Sequence, residues 1–160
     1  MTMTANSPTV VDSGGFTVRR TIAIAAPLEK VWAAITQAEH IARWFPQRAE
    51  LAPVAVGAGG VLHFDGHDDL PITVEELDEP RMIAYRWSNS YGESADPLSV
   101  DPEHSTVFRF TLSPVDGGTE LTVVETGFDT LADPSGSMED HRSGWDSELD
   151  ELVAYLEGGS

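Results

Sequence analysis

Glu125 and His141 form one candidate acid–base pair in the sequence. Glu125 continues the apolar alternation of Leu121 and Val123, so its side chain points to the inward face of a strand. His141 precedes Trp145 by four residues, which places the two on one face of a helix. A carboxylate that meets an imidazole inside a pocket could bind a polar head group or do acid–base work. The plainer interpretation is that each charge lies at the end of its element and reaches solvent.

Arg20 and Arg86 are the alternative charged partners for Glu125. Each of them shares a strand face with apolar neighbours in the predicted pattern. An arginine on such a face either pairs with an inward carboxylate or extends its guanidinium to solvent. The sequence leaves open whether the partner of Glu125 is His141 or an arginine.

Bulky apolar side chains form the second set of candidates. Alternation places Phe108 and Phe110 on one face of their strand, and Trp44 and Phe45 end a short helix. A single aromatic residue is usually part of a packed core, whereas several that converge at the wide end of a sheet can line a pocket. With the polar pair included, the predicted ligand-binding residues are Trp44, Phe45, Phe64, Trp87, Phe108, Phe110, Glu125, His141, Trp145 and Leu149.

No other pattern of reactive residues predicts a metal, a cofactor or a catalytic centre. His63 and His67 have acidic neighbours, but on a strand and turn their spacing does not bring both imidazoles to one side. A solvated acidic loop explains them better. There is no G-x-S-x-G motif, and the "GAGG" at 57–60 is a turn rather than a phosphate cradle. The chain has no cysteine, which excludes thiol chemistry.

The composition predicts one globular domain with an acidic surface. The chain has 160 residues, of which 41% are hydrophobic, and this suffices for one core. A net charge of −18 repels phosphate backbones and anionic lipid, so we expect neither nucleic acid nor membrane as a partner. No apolar run approaches the ~18 residues of a membrane helix. Since the polar start lacks a secretory h-region, we expect a cytoplasmic protein whose residues 1–15 are disordered.

The first predicted elements are a strand and two short helices. Phe16–Ala25 alternates between apolar and polar residues, which indicates a half-buried strand. Pro27 suits the first turn of a helix. Thr36 and Glu39 form a T-x-x-E capping box, so a second helix is predicted to start at Thr36 and to end near Phe45, before a proline.

Short strands and one long helix are predicted for the rest of the chain. Asp-Gly in "VDGG" and the link "DEP" predict two hairpins, and a further short strand is expected within residues 49–56. The irregular segment Asp129–Asp140 precedes an amphipathic helix that begins near His141 and turns Trp145 and Leu149 inward. The sheet is predicted to have six or seven antiparallel strands, five of them from the segments "VLHFDG", "PITVEELDEP", "RMIAYRWS", "STVFRFTLSP" and "TELTVVETGF".

These segments resemble the START-like (SRPBCC, helix-grip) superfamily, and more narrowly the family named after the activator of the heat-shock protein 90 ATPase. The resemblance rests on the order and spacing of "APLEKVWAAITQAEHIARWF", "VEELDEPRMIAYRW", "STVFRFTLSPVDGGTELTVVETGF" and "GWDSELDELVAYLE". It implies an α+β helix-grip fold, in which a curved antiparallel sheet wraps around a long C-terminal helix. Residues 16–158 would form this single domain. The resemblance also implies an internal cavity lined by apolar and aromatic groups.

Three functions are compatible with this resemblance. The first is a cytoplasmic binding protein whose cavity takes a small apolar or aromatic ligand, and we expect this rather than an enzyme. The second is a chaperone-regulating or other protein-interaction role in a stress response, which the family name and the acidic long helix suggest. The third is a cofactor-free cyclase or hydrolase that uses an inward pair such as Glu125 with His141.

Overall fold

A computed structural model describes residues 9–12, 14–44, 48–51, 55–57, 59–63, 70–88, 105–130 and 133–157. The strands are β1 (Val10–Asp12), β2 (Thr17–Ile24), β3 (Arg48–Leu51), β4 (Gly59–His63), β5 (Leu70–Asp78), β6 (Met82–Ser88), β7 (Ser105–Val115) and β8 (Gly118–Thr126). The α-helices are α1 (Leu28–Thr36), α2 (Ala38–Trp44) and α3 (Pro134–Glu157), and a single 3-10 turn covers Phe128–Thr130.

The strands form one antiparallel sheet in the order β1-β2-β8-β7-β6-β5-β4-β3. The predicted helix-grip architecture is confirmed, with α3 packed on the inner face and the two short helices after β2. Both predicted hairpins are present, since β5 joins β6 and β7 joins β8 through tight turns. Gly117 supplies the positive φ of 84° that the second turn needs, where a side chain would be strained.

The eighth strand, β1, lies inside the segment that the sequence predicts to be disordered. Val10 to Asp12 pair with β2, and Thr9 donates to Asp146 Oδ1 from both its amide and its hydroxyl, each at 2.7 Å. These bonds hold the segment against α3. Phe16, expected on the buried face, lies in the turn before β2 with φ of 52° and is partly exposed.

The helix boundaries differ from the predicted ones for local reasons. Thr36 is the last residue of α1, and its Oγ1 donates to Trp32 O at 2.7 Å. Because the hydroxyl bonds to its own helix, the predicted capping box at Thr36 is wrong and α2 begins after Gln37. The long helix starts earlier than His141, because Asp133 caps it by accepting from the amide of Gly136 at 3.1 Å.

The core lies between α3 and the inner face of the sheet. The alternation predicted for β2 and β8 is observed, with Val18, Ile22, Leu121 and Val123 all buried. The buried side of α3 carries Met138, Trp145, Leu149, Leu152 and Leu156. Within the described ranges, no helix is long and apolar enough to cross a membrane.

Candidate functional site

Glu125 is a fully buried carboxylate that accepts hydrogen bonds from four side chains. Its Oε1 accepts from His141 Nδ1 and from Trp145 Nε1, each at 2.8 Å. Its Oε2 accepts from Trp87 Nε1 at 2.9 Å and from the hydroxyl of Thr106. A carboxylate offers about four acceptor positions, so this set of donors satisfies Glu125. We call these five residues the Glu125 cluster.

Three strands and α3 build the Glu125 cluster. Trp87 of β6 is paired with Thr106 of β7, and Glu125 lies on β8, the next strand of the sheet. His141 and Trp145 reach the carboxylate from successive turns of α3. The structure therefore places Glu125 inward and His141 on the face of Trp145, as alternation and helical spacing predict. The interpretation in which Glu125 reaches solvent is wrong.

Glu125 and His141 stabilise each other's charged forms. Burial raises the pKa of Glu125, but the charge of His141 and the hydrogen bonds from His141, Thr106 and Trp145 outweigh it, so the pKa lies below 4.5. Burial lowers the pKa of His141, but the charge and hydrogen bond of Glu125, with a contribution from Asp140, bring it above 6.5. The two groups thus form a buried ion pair over the pH range in which His141 is protonated.

Both arginines that the sequence offers as partners bind elsewhere. Arg20 is buried, where the sequence favours exposure, and donates to Asp146 O at 3.0 Å and to Asp150 Oδ1 at 2.8 Å. It thereby joins β2 to α3. Arg86 lies on the opposite sheet face from Trp87 and donates to Glu75 Oε1 at 2.6 Å. The charged partner of Glu125 is therefore His141.

An aromatic layer extends from the Glu125 cluster towards α2. The rings of Trp87 and Phe108 lie 4.7 Å apart, and those of Phe108 and Trp145 lie 5.2 Å apart. Phe110 continues the layer, 5.8 Å from Trp145 and 6.4 Å from Trp44. Edge-on and tilted contacts of this kind are favourable and leave little room between rings.

A small void lies beneath α2, at the end of the aromatic layer. Its volume is about 10 Å³, room for about one water molecule. The hydroxyl of Tyr85, one of the lining residues, is buried and donates to Ile35 O at 2.7 Å. We call this space the α2 void, and its lining residues are Ile35, Ile41, Trp44, Leu62, Ile72, Tyr85, Phe108 and Phe110.

The lining of the α2 void differs in part from the predicted ligand-binding set. Trp44, Phe108 and Phe110 border the void, whereas Trp87 and Trp145 lie beyond Phe108 in the Glu125 cluster. Leu149 is buried in the core around α3 and is not among the lining residues. Phe45 and Phe64 lie outside the described residues. So do His67 and the side chain of His63, whose spacing the sequence singled out.

Tyr85 and Thr106 belong to these two sites but are missing from the predicted set. Each of them lies two residues from a predicted aromatic residue on its strand, Tyr85 before Trp87 and Thr106 before Phe108. Alternation therefore placed both on the inner face. Searching those faces for polar groups as well as for bulky apolar ones would have identified them.

Helix α2 closes the void and is held by a few side-chain contacts. Trp44 Nε1 donates to Ala34 O of α1 at 2.8 Å. His40 Nδ1 lies 2.7 Å from the hydroxyl of Tyr155 on α3, and the guanidinium carbon of Arg43 lies 5.7 Å from the centre of the Tyr155 ring. Helix α2 thus bridges α1 and α3 across the open side of the sheet.

Comparisons with known proteins agree with this fold. No curated protein matches the chain significantly. MLL2253 from Mesorhizobium loti is 25% identical, with a TM-score of 0.75 over 90% of this chain and 98% of its own. DynU16, a protein in the dynemicin biosynthetic locus, is 27% identical with a TM-score of 0.72 over 90% of this chain but 48% of its own.

A third solved structure shares the fold at lower identity. The Aha1 dimer from Colwellia psychrerythraea is 19% identical, with a TM-score of 0.69 over 90% of this chain and 98% of its own. The family model of the activator of Hsp90 ATPase homolog 1-like proteins matches residues 25–157. This match covers most of the sequence. The chain therefore belongs to the family of activator of Hsp90 ATPase homolog 1-like proteins.

Proposed function

We propose that this chain is a cytoplasmic binding protein that takes a small apolar or aromatic molecule beneath α2. The α2 void carries this proposal, because it is an apolar space at the point where the sheet is covered by a short helix. Its lining consists of aliphatic and aromatic side chains, which is the usual lining of a small-molecule pocket.

The size of the void requires that α2 moves when a ligand binds. Ligand pockets usually enclose about 300 to 1,000 Å³, and the void has about 10 Å³. Helix α2 has seven residues, too few to be stable on its own, so its position depends on its packing against β3, α1 and α3. Displacing α2 from these neighbours would open the space.

One of the similar proteins gives the proposal a biological setting. DynU16 is described as a protein in the dynemicin biosynthetic locus, and a biosynthetic locus is a setting in which small molecules are made. A shared fold does not transfer a function by itself. The likeness therefore supports the choice of a small molecule as the ligand and does not identify it.

A fluorescence titration with N-phenyl-1-naphthylamine, an apolar aromatic probe, tests the proposal. The wild-type chain should bind it, and Trp44→Phe should bind it about fivefold more tightly because a smaller ring without an indole N–H loosens α2 and widens the void. Trp32→Phe is the matched control, since Trp32 lies on α1 away from the void and donates to Glu79 at 3.2 Å. It should leave the affinity within about twofold.

Two results would overturn the proposal. One is the absence of probe binding by both the wild type and Trp44→Phe up to about 100 μM, an affinity weaker than most specific ligands show. The other is an equal change of affinity in Trp44→Phe and Trp32→Phe, which would place the probe elsewhere. Circular dichroism of each variant checks that the fold is retained.

A further inference from the structure

The imidazole of His141 has one nitrogen that is bound and one to which no described residue forms a hydrogen bond. Its Nδ1 bonds to Glu125 Oε1 at 2.8 Å, and none of the described residues forms a hydrogen bond with its Nε2. In the described part of the chain, every fully buried side-chain nitrogen or oxygen has a partner. Nε2 must therefore reach accessible surface, which agrees with the 11% exposure of the side chain.

The protein fixes the direction in which Nε2 points. The ring of His141 meets Trp87 edge-on at 5.8 Å and 78°, and it meets Phe128 edge-on at 5.1 Å and 84°. Its backbone belongs to the regular helix α3, and its Nδ1 is bound to the carboxylate of Glu125, which three other side chains hold in place. A polar group held in this way loses little entropy when it binds a partner.

The groups around the imidazole of His141 favour its protonated form. Glu125 of β8 faces it directly, Asp140 lies beside it on α3, and Glu148 follows seven residues later on the same side of that helix. Strand β6 and the 3-10 turn contribute the uncharged rings of Trp87 and Phe128. Because the pKa of His141 is raised, the ring keeps its second proton to a higher pH than a free imidazole does, and in that form Nε2 acts as a charged donor.

The helix surface next to His141 has space for a bound group. Gly144 lies three residues after His141, on the same side of α3. No described residue lies within 4 Å of the position that a Cβ of Gly144 would take. A glycine inside a helix costs about 1 kcal/mol relative to alanine. This glycine therefore has a cost in stability and leaves the surface of α3 unfilled about one turn after His141.

We propose that Nε2 of His141 binds an anionic oxygen of a small molecule, such as a carboxylate, a phenolate or a sulfonate. Glu125 acts as the positioning residue that holds the imidazole, and the buried rings of Trp87 and Phe128 fix its direction. This site is distinct from the α2 void, since His141 is not among the residues that line the void. The proposal does not depend on ligand binding beneath α2.

A matched pair of probes tests the site. 2-Naphthoate and 2-naphthamide have the same shape and differ in charge. At pH 6 and 0.15 M salt, the wild type should bind naphthoate about tenfold more tightly than the amide, because only naphthoate forms a charge-assisted bond with the imidazolium. Titration of protein labelled with ¹⁵N-histidine should move the Nε2 resonance of His141 on addition of naphthoate.

Variants separate the roles of the two partners. His141→Gln should abolish the preference for naphthoate. Glu125→Gln keeps the size of the side chain, replaces one acceptor oxygen with an NH2 donor and removes the charge that holds the proton, so the preference should vanish at pH 7 and return at pH 5 while circular dichroism checks that the fold is retained. His40→Gln is the matched control, because His40 lies on α2 against Tyr155, and it should keep the tenfold preference. Repeating the pH series in a chain that also carries Glu148→Gln removes the titration of Glu148 from the measured pH dependence.

The outcomes distinguish this proposal from the proposed function. Equal affinity for naphthoate and the amide, with an unmoved Nε2 resonance at saturation, would overturn the His141 site while leaving the binding of N-phenyl-1-naphthylamine beneath α2 intact. A preference for naphthoate that survives in His141→Gln would overturn it as well. Conversely, a His141-dependent preference in a chain that does not bind N-phenyl-1-naphthylamine would support this site and contradict the one beneath α2.

Discussion

The protein interior differs at its two ends, one of which holds the Glu125 cluster and the other the α2 void. Around Glu125, four donors from β6, β7 and α3 meet one buried carboxylate. Beneath α2, mostly apolar side chains surround no buried charge and leave a space of about 10 Å³. A buried charge tolerates only the arrangement that satisfies it, whereas apolar contacts can be rearranged at small cost. The first end is therefore expected to be rigid and the second deformable.

Removing the carboxylate should give the largest effect. Glu125→Ala leaves a buried imidazolium and the indole N–H groups of Trp87 and Trp145 without their acceptor, so we expect a loss of about 3 to 5 kcal/mol in the free energy of unfolding. Urea denaturation measures it. Glu120→Ala, on the exposed face of the same strand, should cost less than about 0.5 kcal/mol. A loss below about 1 kcal/mol for Glu125→Ala would show that the cluster is not the rigid end.

A pH at which Glu125 or His141 loses its charge should lower the free energy of unfolding by less than Glu125→Ala does, because most hydrogen bonds of the Glu125 cluster remain. The pKa of Glu125 is lowered in the folded state, so its contribution to stability is present above pH 4.5 and is lost as the pH falls through the folded pKa. The pKa of His141 is raised, so its contribution is present below pH 6.5 and is lost as the pH rises through the folded pKa. The pair should be most stabilising between these two values.

Unfolding free energies of the wild type and His141→Gln across this pH range test that expectation. Their difference should be largest between pH 4.5 and 6.5 and should shrink on both sides. Glu148 must be replaced by Gln in both chains. Burial, then the charge of Glu151, raises the pKa of Glu148 to about 7, so its ionisation also lowers stability as the pH rises. A difference that does not change with pH would contradict a buried ion pair.

At the α2 end, removing one hydroxyl should have a smaller effect. Tyr85→Phe deletes the bond to Ile35 O and leaves that carbonyl unsatisfied, which should cost about 1 to 2 kcal/mol in the free energy of unfolding. The variant should also bind N-phenyl-1-naphthylamine at least as tightly as the wild type, since the void keeps its apolar lining. If Tyr85→Phe destabilised the chain as much as Glu125→Ala, the proposed difference between the ends would be wrong.

The smallest effect is expected at Gly144. Gly144→Ala should raise the free energy of unfolding by about 0.5 to 1 kcal/mol, because alanine favours the helix and no described residue lies within 4 Å of the new methyl group. A methyl group on this side of α3, about one turn after His141, should also weaken the binding of 2-naphthoate. Thermal unfolding with and without naphthoate measures both effects. A variant that gains stability and keeps the affinity would indicate that the space beside His141 is not used.

Local patterns in the sequence predicted most of the parts of the Glu125 cluster. Alternation along β8 placed Glu125 inward, and a spacing of four residues placed His141 with Trp145. These predictions hold because strand and helix geometry repeat over two and 3.6 residues. The same reasoning misjudged Arg20 and Thr36, whose side chains bond to partners that the pattern does not identify. A strand of three residues such as β1 is too short to show a pattern of its own and is defined by its pairing with β2.

The sequence by itself determined the inward faces of the strands and of α3 and the presence of a carboxylate and an imidazole among them, because each follows from spacing along one element. Its resemblance to a known family indicated the helix-grip fold. Only the tertiary structure decided that Glu125 pairs with His141 rather than with an arginine, and that Phe108 separates the Glu125 cluster from the α2 void. Those relations depend on distances between residues far apart in the chain. They are set by how β6, β7, β8 and α3 pack together.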